Sequence, residues 1–118
     1  MKTLVLGASP NPSRVSNQAV HRLLRAGHEP VPVGIRAGEI ASIPIQLGNP
    51  AVEDVHTITL YMNPRRQEPL YDYILSLRPQ RIIFNPGTEN PALARLAHEQ
   101  GIEVEVACTL VMLSLGVY

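Results

Sequence analysis

Thr3-Leu4-Val5-Leu6-Gly7-Ala8-Ser9-Pro10-Asn11-Pro12-Ser13-Arg14 carries the clearest structural signal of the chain. A short apolar run, uncharged after Lys2, breaks into a glycine, small residues and two prolines. A helical pattern then begins at Val15. A buried parallel strand turning into a helix has this form, and it places backbone amides where an anion can sit. The turn lacks the three spaced glycines of the dinucleotide fingerprint and the lysine of the P-loop, so neither motif is present. Alone it is equally the sequence of a tight strand-to-helix turn with no ligand.

Working outward, Val15, Ala19, Val20, Leu23 and Leu24 recur at helical spacing, opposite Asn17, Gln18, His21, Arg22 and Arg25. With Ser13 as N-cap and Gly27 just past the end, the pattern predicts a helix from about Arg14 to Ala26. Glu29–Val33 reads as a second strand. Pro30 and Pro32 stand two apart, so their missing N–H groups lie on one edge, and that strand can be fully paired on one side only. Residues 34–54 are rich in Gly and Pro and predict an irregular connection with one or two very short strands. Val55–Tyr61 is strand-like. Asn63-Pro64 ends it, and a helical pattern follows through Leu70, Tyr73, Ile74 and Leu77. Arg81–Phe84 predicts a strand closed by Asn85-Pro86-Gly87. Pro91 opens a helix reaching Gly101, and Ile102–Ala107 is a last strand. The order is that of a doubly wound α/β fold: one domain over residues 1–118, with a mainly parallel five-stranded sheet and helices on both faces.

Composition narrows the function. No apolar run approaches the ~20 residues of a membrane-spanning helix, and Met1–Leu4 is too short an apolar core for a secretory signal. A lone cysteine, Cys108, allows no internal disulfide and fits a cytoplasmic protein. Zero net charge argues against a general nucleic-acid binder. The charge is unevenly spread, however. Residues 1–36 carry five basic groups against Glu29 alone, which suits a small phosphorylated ligand near the first turn. His21, His28, His56 and His98 are scattered and Cys108 has no companion, so no metal cluster is expected.

In doubly wound sheets ligands bind beyond the carboxyl ends of the strands, where the strand order reverses. The turns Gly7–Arg14, Gly34–Arg36, Tyr61–Pro64 and Asn85–Gly87 converge there, and they hold no carboxylate. Amides and amide side chains suit phosphates and an adenine edge better than acid–base chemistry. The ribose-binding acid that an NAD domain carries after its second strand is missing at Val33-Gly34-Ile35.

Taken with these motifs, the chain resembles the small stand-alone CoA-binding proteins, which look like the CoA-binding domain of the succinyl-CoA synthetase α subunit. The resemblance spans nearly the whole chain. It rests on Gly7–Arg14, on Ala26–Val33 and on Tyr61–Pro64, with support from Asn85-Pro86-Gly87 and from Cys108 after the last strand. It implies a Rossmann-like fold that binds coenzyme A or an acyl-CoA without catalysis. By that resemblance Gly7, Ala8, Ser9, Asn11, Pro12, Ser13 and Arg14 hold the CoA phosphates. Val33, Gly34 and Arg36 border the nucleotide, and Tyr61, Asn63 and Pro64 its other side, with Asn85 and Gly87 on the last turn. Relatives commonly carry Asn-Pro where this chain has Gly34-Ile35, and a Trp-x-Gln-x-Gly turn where it has Phe84-Asn85-Pro86-Gly87.

Two other readings belong to different classes. One is an enzyme acting on a CoA thioester through Glu89, His56 or Cys108; the other is a protein-interaction module with a degenerate pocket. Cys108 itself reads as a buried structural thiol. Leu110, Val111, Met112, Leu113, Leu115 and Val117 crowd the tail. They predict either a homodimer through this segment or a tail that completes the protein's own core.

Overall fold

The computed structural model describes all 118 residues. Strand β1 (Lys2–Leu6) leads through the glycine turn to helix α1 (Val15–Arg25) and strand β2 (Glu29–Gly34). Three two-residue strands follow: β3 (Glu39–Ile40), β4 (Ile43–Pro44) and β5 (Gln46–Leu47). Then come β6 (Thr57–Leu60), α2 (Pro64–Gln67), a 3-10 turn (Glu68–Leu70) and α3 (Tyr71–Ser76). The chain ends with β7 (Arg81–Phe84), α4 (Pro91–Glu99), β8 (Glu103–Val106) and α5 (Thr109–Leu115).

The main sheet has six strands in the order β5-β2-β1-β6-β7-β8, all paired in parallel. The five-stranded expectation is therefore corrected by β5, which adds to β2 only at Val33 and Gly34. The prolines explain why the contact is so short. Glu29 N–H bonds Met1 O, and Val33 O receives bonds from the turn after β1, so the odd-numbered residues of β2 face β1. Pro30 and Pro32 face outward, and the outer edge cannot be paired until the chain has passed them.

Side-chain alternation splits the core in two. Leu4, Leu6, Ile58, Leu60, Ile82 and Phe84 point to one face and meet Ile74 of α3 and Leu93 and Ala97 of α4. Val5 points to the other and meets Val20 and Leu23 of α1, with Ile40 and Ile45 of the connection. On that second face the β6–β7 half is mostly polar: Thr57, Thr59, Arg81 and Asn85 are buried there beside Ile83. Helix α5 covers it and packs beside α1, and Thr109 Oγ1 bonds Thr59 Oγ1 at 2.8 Å.

Three local expectations are revised. Arg14, not Ser13, occupies the N-cap of α1, with extended backbone and no side-chain cap. Asn17 is buried rather than on the polar face, because its Nδ2 donates to Ser9 O at 2.9 Å and ties the turn to the helix. Residues 34–54 hold three short strands, of which β3 and β4 form a separate antiparallel pair.

Candidate functional site

The strand order reverses between β1 and β6, and a cleft of about 890 Å³ lies past the carboxyl ends of β1, β2 and β6. Two close backbone approaches shape its base. Gly7 takes φ +97°, and a Cβ there would stand 2.8 Å from Tyr61 O. A Cβ on Gly34 would stand 2.2 Å from Ala8 O, closer than any side chain tolerates. Glycine at 34 is thus a requirement of how tightly the first turn crosses the end of β2 in this chain.

Gly7, Ala8, Ser9, Asn11, Ser13 and Arg14 line the cleft from the first turn. Val33, Gly34 and Arg36 line it from the end of β2, and Tyr61 from the end of β6. Their hydrogen bonds divide them. Gly7 and Ala8 both donate N–H to Val33 O at 2.9 Å, so these amides extend the sheet and are not free for a ligand. Asn11 Oδ1 accepts from Ser13 N at 3.0 Å and from Ser13 Oγ at 2.8 Å, an Asx turn that shapes the loop. The amides of Ser9, Val15 and Ser16 carry no bond within the protein. They are the donors the turn offers to an anion, two of them at the start of α1 where the dipole adds to their effect.

Pro12, Asn63, Pro64, Asn85 and Gly87 do not line the cleft. Pro12 is exposed. Asn63 caps α2, its Oδ1 accepting from Arg66 N at 3.0 Å, and Pro64 is the first helical residue. Asn85 turns inward: its Nδ2 donates to Thr59 Oγ1 at 2.7 Å and to Leu60 O at 2.8 Å, and its Oδ1 accepts from Thr109 N at 2.9 Å. It latches α5 onto the sheet. Gly87 N donates to Glu89 Oε1 at 2.8 Å, which closes the turn before α4.

Residues that the motifs did not single out complete the lining, among them Ser16, Ile35, Leu47, Asn49, Arg66 and Leu70. Arg66 had a readable signal, since it stands in the first turn of the helix that Asn63-Pro64 opens. The cleft contains Arg14, Arg36 and Arg66 and no Asp, Glu, His or Cys. None of the three guanidinium groups makes a hydrogen bond or ion pair inside the protein; the ion pair present joins Arg81 to Glu105 at 3.8 Å.

Acid–base and nucleophilic groups are placed elsewhere. His56 precedes β6 at the opposite end of the sheet, its Nδ1 2.7 Å from Thr57 Oγ1. Glu89 serves the Gly87 turn. Cys108 is half-buried, not buried, at the N-cap of α5. The Tyr61 hydroxyl is buried with no hydrogen-bond partner. Burial outweighs the nearby Thr109 and Thr59 hydroxyls and pushes the phenol up to about 12, so it stays protonated at neutral pH. No three His, Cys, Asp or Glu side chains gather as a metal site, and no helix is long and apolar enough to cross a membrane.

The arrangement suits a polyanionic ligand held by amides and guanidinium groups. A crystal structure of an uncharacterized protein matches with a TM-score of 0.97 and 50% identity, covering 99% of this chain and 97% of that one. A Thermus thermophilus structure matches at 0.87 and 23% identity, over 99% of this chain and 90% of that one, and likens the fold alone. A conserved hypothetical protein from Pyrococcus furiosus matches at 0.76 and 25% identity, covering 88% of this chain and 90% of that one. Curated proteins give no match. Residues 1–114 match the family model described as a CoA binding domain, and the chain belongs to that family.

Proposed function

We propose that this chain binds coenzyme A or an acyl-CoA in the cleft past β1, β2 and β6, without transforming it. The observation that carries this reading is three unpaired arginines and three free amides in one cleft with no carboxylate. Coenzyme A brings a diphosphate, a 3′-phosphate and an adenine, and the apolar Ile35, Leu47 and Leu70 beside the arginines suit its uncharged parts. The absence of any carboxylate, histidine or thiol from the lining supports binding over catalysis. Calorimetry with coenzyme A, ATP and NAD tests it. Coenzyme A gives saturable heat and binds more tightly than the other two; no heat up to millimolar coenzyme A would end the reading. Hydrolysis or transfer of an added acyl-CoA would overturn the non-catalytic part alone.

A homodimer through α5 is the second proposal. Helix α5 buries Thr109 and Met112, and Leu113 and Tyr118 pack on the α1 side of the core, so part of the tail completes the protein itself. Val111, Leu115 and Val117 remain 53%, 70% and 62% exposed. Most assemblies of identical chains are two-fold, so this surface would meet its own copy. Sedimentation at micromolar concentration shows a dimer, and Leu115→Asp with Val117→Asp gives soluble monomers. A monomer at tens of micromolar in the unchanged protein removes the proposal.

A further inference from the structure

Arg14, Arg36 and Arg66 reach the cleft from three different elements, and none has a partner inside the protein. Like charges facing one concavity repel one another unless a polyanion neutralises them. On the coenzyme A reading above, two of them have evident counterparts. Arg14 stands beside the free amides of Val15 and Ser16, the place for the diphosphate. Arg36 follows β2, where nucleotide-binding sheets hold the ribose and where an arginine accommodates a ribose phosphate. The 3′-phosphate therefore falls to Arg36.

Arg66 remains. It enters from the β6 side, toward which the pantetheine arm would leave, and that arm carries no charge. Strands β1 and β6 are direct neighbours, about 4.8 Å apart. The first turn of α2 is thus brought within an arginine's length of an anion seated in the turn after β1. The turn is also held firmly. Gln67, fully buried, donates from Nε2 to Met62 O and to Thr88 O, each at 2.8 Å, and accepts from Asn90 at 2.9 Å. Arg66, the residue before this anchor, is presented to the cleft while Arg65 is turned away from it.

We infer that Arg66 closes on the diphosphate from the side opposite Arg14, a two-arginine clamp that works independently of the 3′-phosphate contact at Arg36. The clamp rests on coenzyme A being the ligand. Calorimetry of the parent, Arg14→Gln, Arg36→Gln and Arg66→Gln with coenzyme A and with dephospho-coenzyme A, which keeps the diphosphate and lacks the 3′-phosphate, separates the roles. Arg66→Gln weakens both ligands by the same factor, about tenfold to a hundredfold, as does Arg14→Gln. Arg36→Gln weakens coenzyme A and leaves dephospho-coenzyme A unchanged. Arg66→Lys recovers part of the loss, and the melting temperature of each variant stays at the parent's value. Unchanged affinity in Arg66→Gln, or a loss confined to coenzyme A, overturns the clamp while the coenzyme A reading stands. A parent that binds neither ligand overturns the coenzyme A reading and the clamp with it.

Discussion

Arginine is used in opposite ways at the two ends of this sheet. At the carboxyl ends Arg14, Arg36 and Arg66 stand around an open cleft with no partner of their own. At the amino ends Arg81 is buried: its Nε donates to Thr57 Oγ1 at 3.1 Å, Nη1 faces Glu105, and the Tyr118 ring lies 4.5 Å from its guanidinium carbon. Tyr118 is itself held by a hydrogen bond to the Thr3 hydroxyl and by the His28 ring at 4.8 Å. Arg81 has its charge met within the chain, whereas the three cleft arginines leave a positive field open to solvent.

The carboxyl end is most sensitive at Gly34. Any Cβ there meets Ala8 O at 2.2 Å, so Gly34→Ala costs about 3 kcal/mol of stability and distorts the cleft wall. Urea unfolding reads the first effect and coenzyme A titration the second; a fully stable Gly34→Ala with parental affinity would show that the turn yields freely. Next in size is Tyr118→Ala at the other end. It removes a mostly buried ring that covers Arg81 and costs about 2–3 kcal/mol, somewhat below a fully buried aromatic. Affinity in the cleft stays at the parental value. A matching loss of affinity would mean that the two ends are coupled, and the contrast drawn here would fail.

The smallest effect sharpens the picture of the amino end. His28 is held below its ordinary value by burial first, then by the Met1 ammonium, which bonds its Nδ1 at 3.0 Å, by Arg81 and by His56. His56 is lowered by burial, Arg81 and the Met1 ammonium, against a smaller pull from Glu103. With folded values below the unfolded 6.5, the unfolded chain takes up protons first as the pH falls. This contribution is therefore complete above about pH 6.5 and is lost as pH drops below it. Urea midpoints at pH 7.5 and 5.5 show the decline, and His28→Gln flattens part of it. An unchanged slope in that variant would remove His28 from the effect.

Legibility followed what each signal depends on. Strand β1 carries a short apolar run, and β6 and β7 are rich in β-branched and apolar residues, so all three could be read along the chain. Strand β5 could not. Gln46-Leu47 has no pattern of its own and becomes a strand because β2 regains free donors only after Pro32. The Asn85–Gly87 turn lies outside the cleft, and position along the chain does not say that Asn85 turns back to Thr59 and Thr109. The signal of Arg66 is only its place after Asn63-Pro64, and the helical phase set by Asn63 brings it, and not Arg65, to the cleft. The tail was legible as an apolar segment. The partners of Tyr118, on β1, on β7 and before β2, lie too far along the chain for any local pattern to reveal them.

The two rims of the sheet carry a consequence for the concentrated protein. A sheet that ends in a bare strand invites a foreign strand to dock and extend it, the first step toward insoluble fibres. Along β2 the outward positions are Pro30 and Pro32, which have no hydrogen to donate, and β5 fills the two places that follow. Along β8 the alternating Glu103 and Glu105 would bring like charges together in any edge-to-edge pairing of two copies. The β8 rim is guarded by charge, and the β2 rim by its prolines together with β5. Edge-to-edge extension of the sheet by a second copy is thereby disfavoured at both rims.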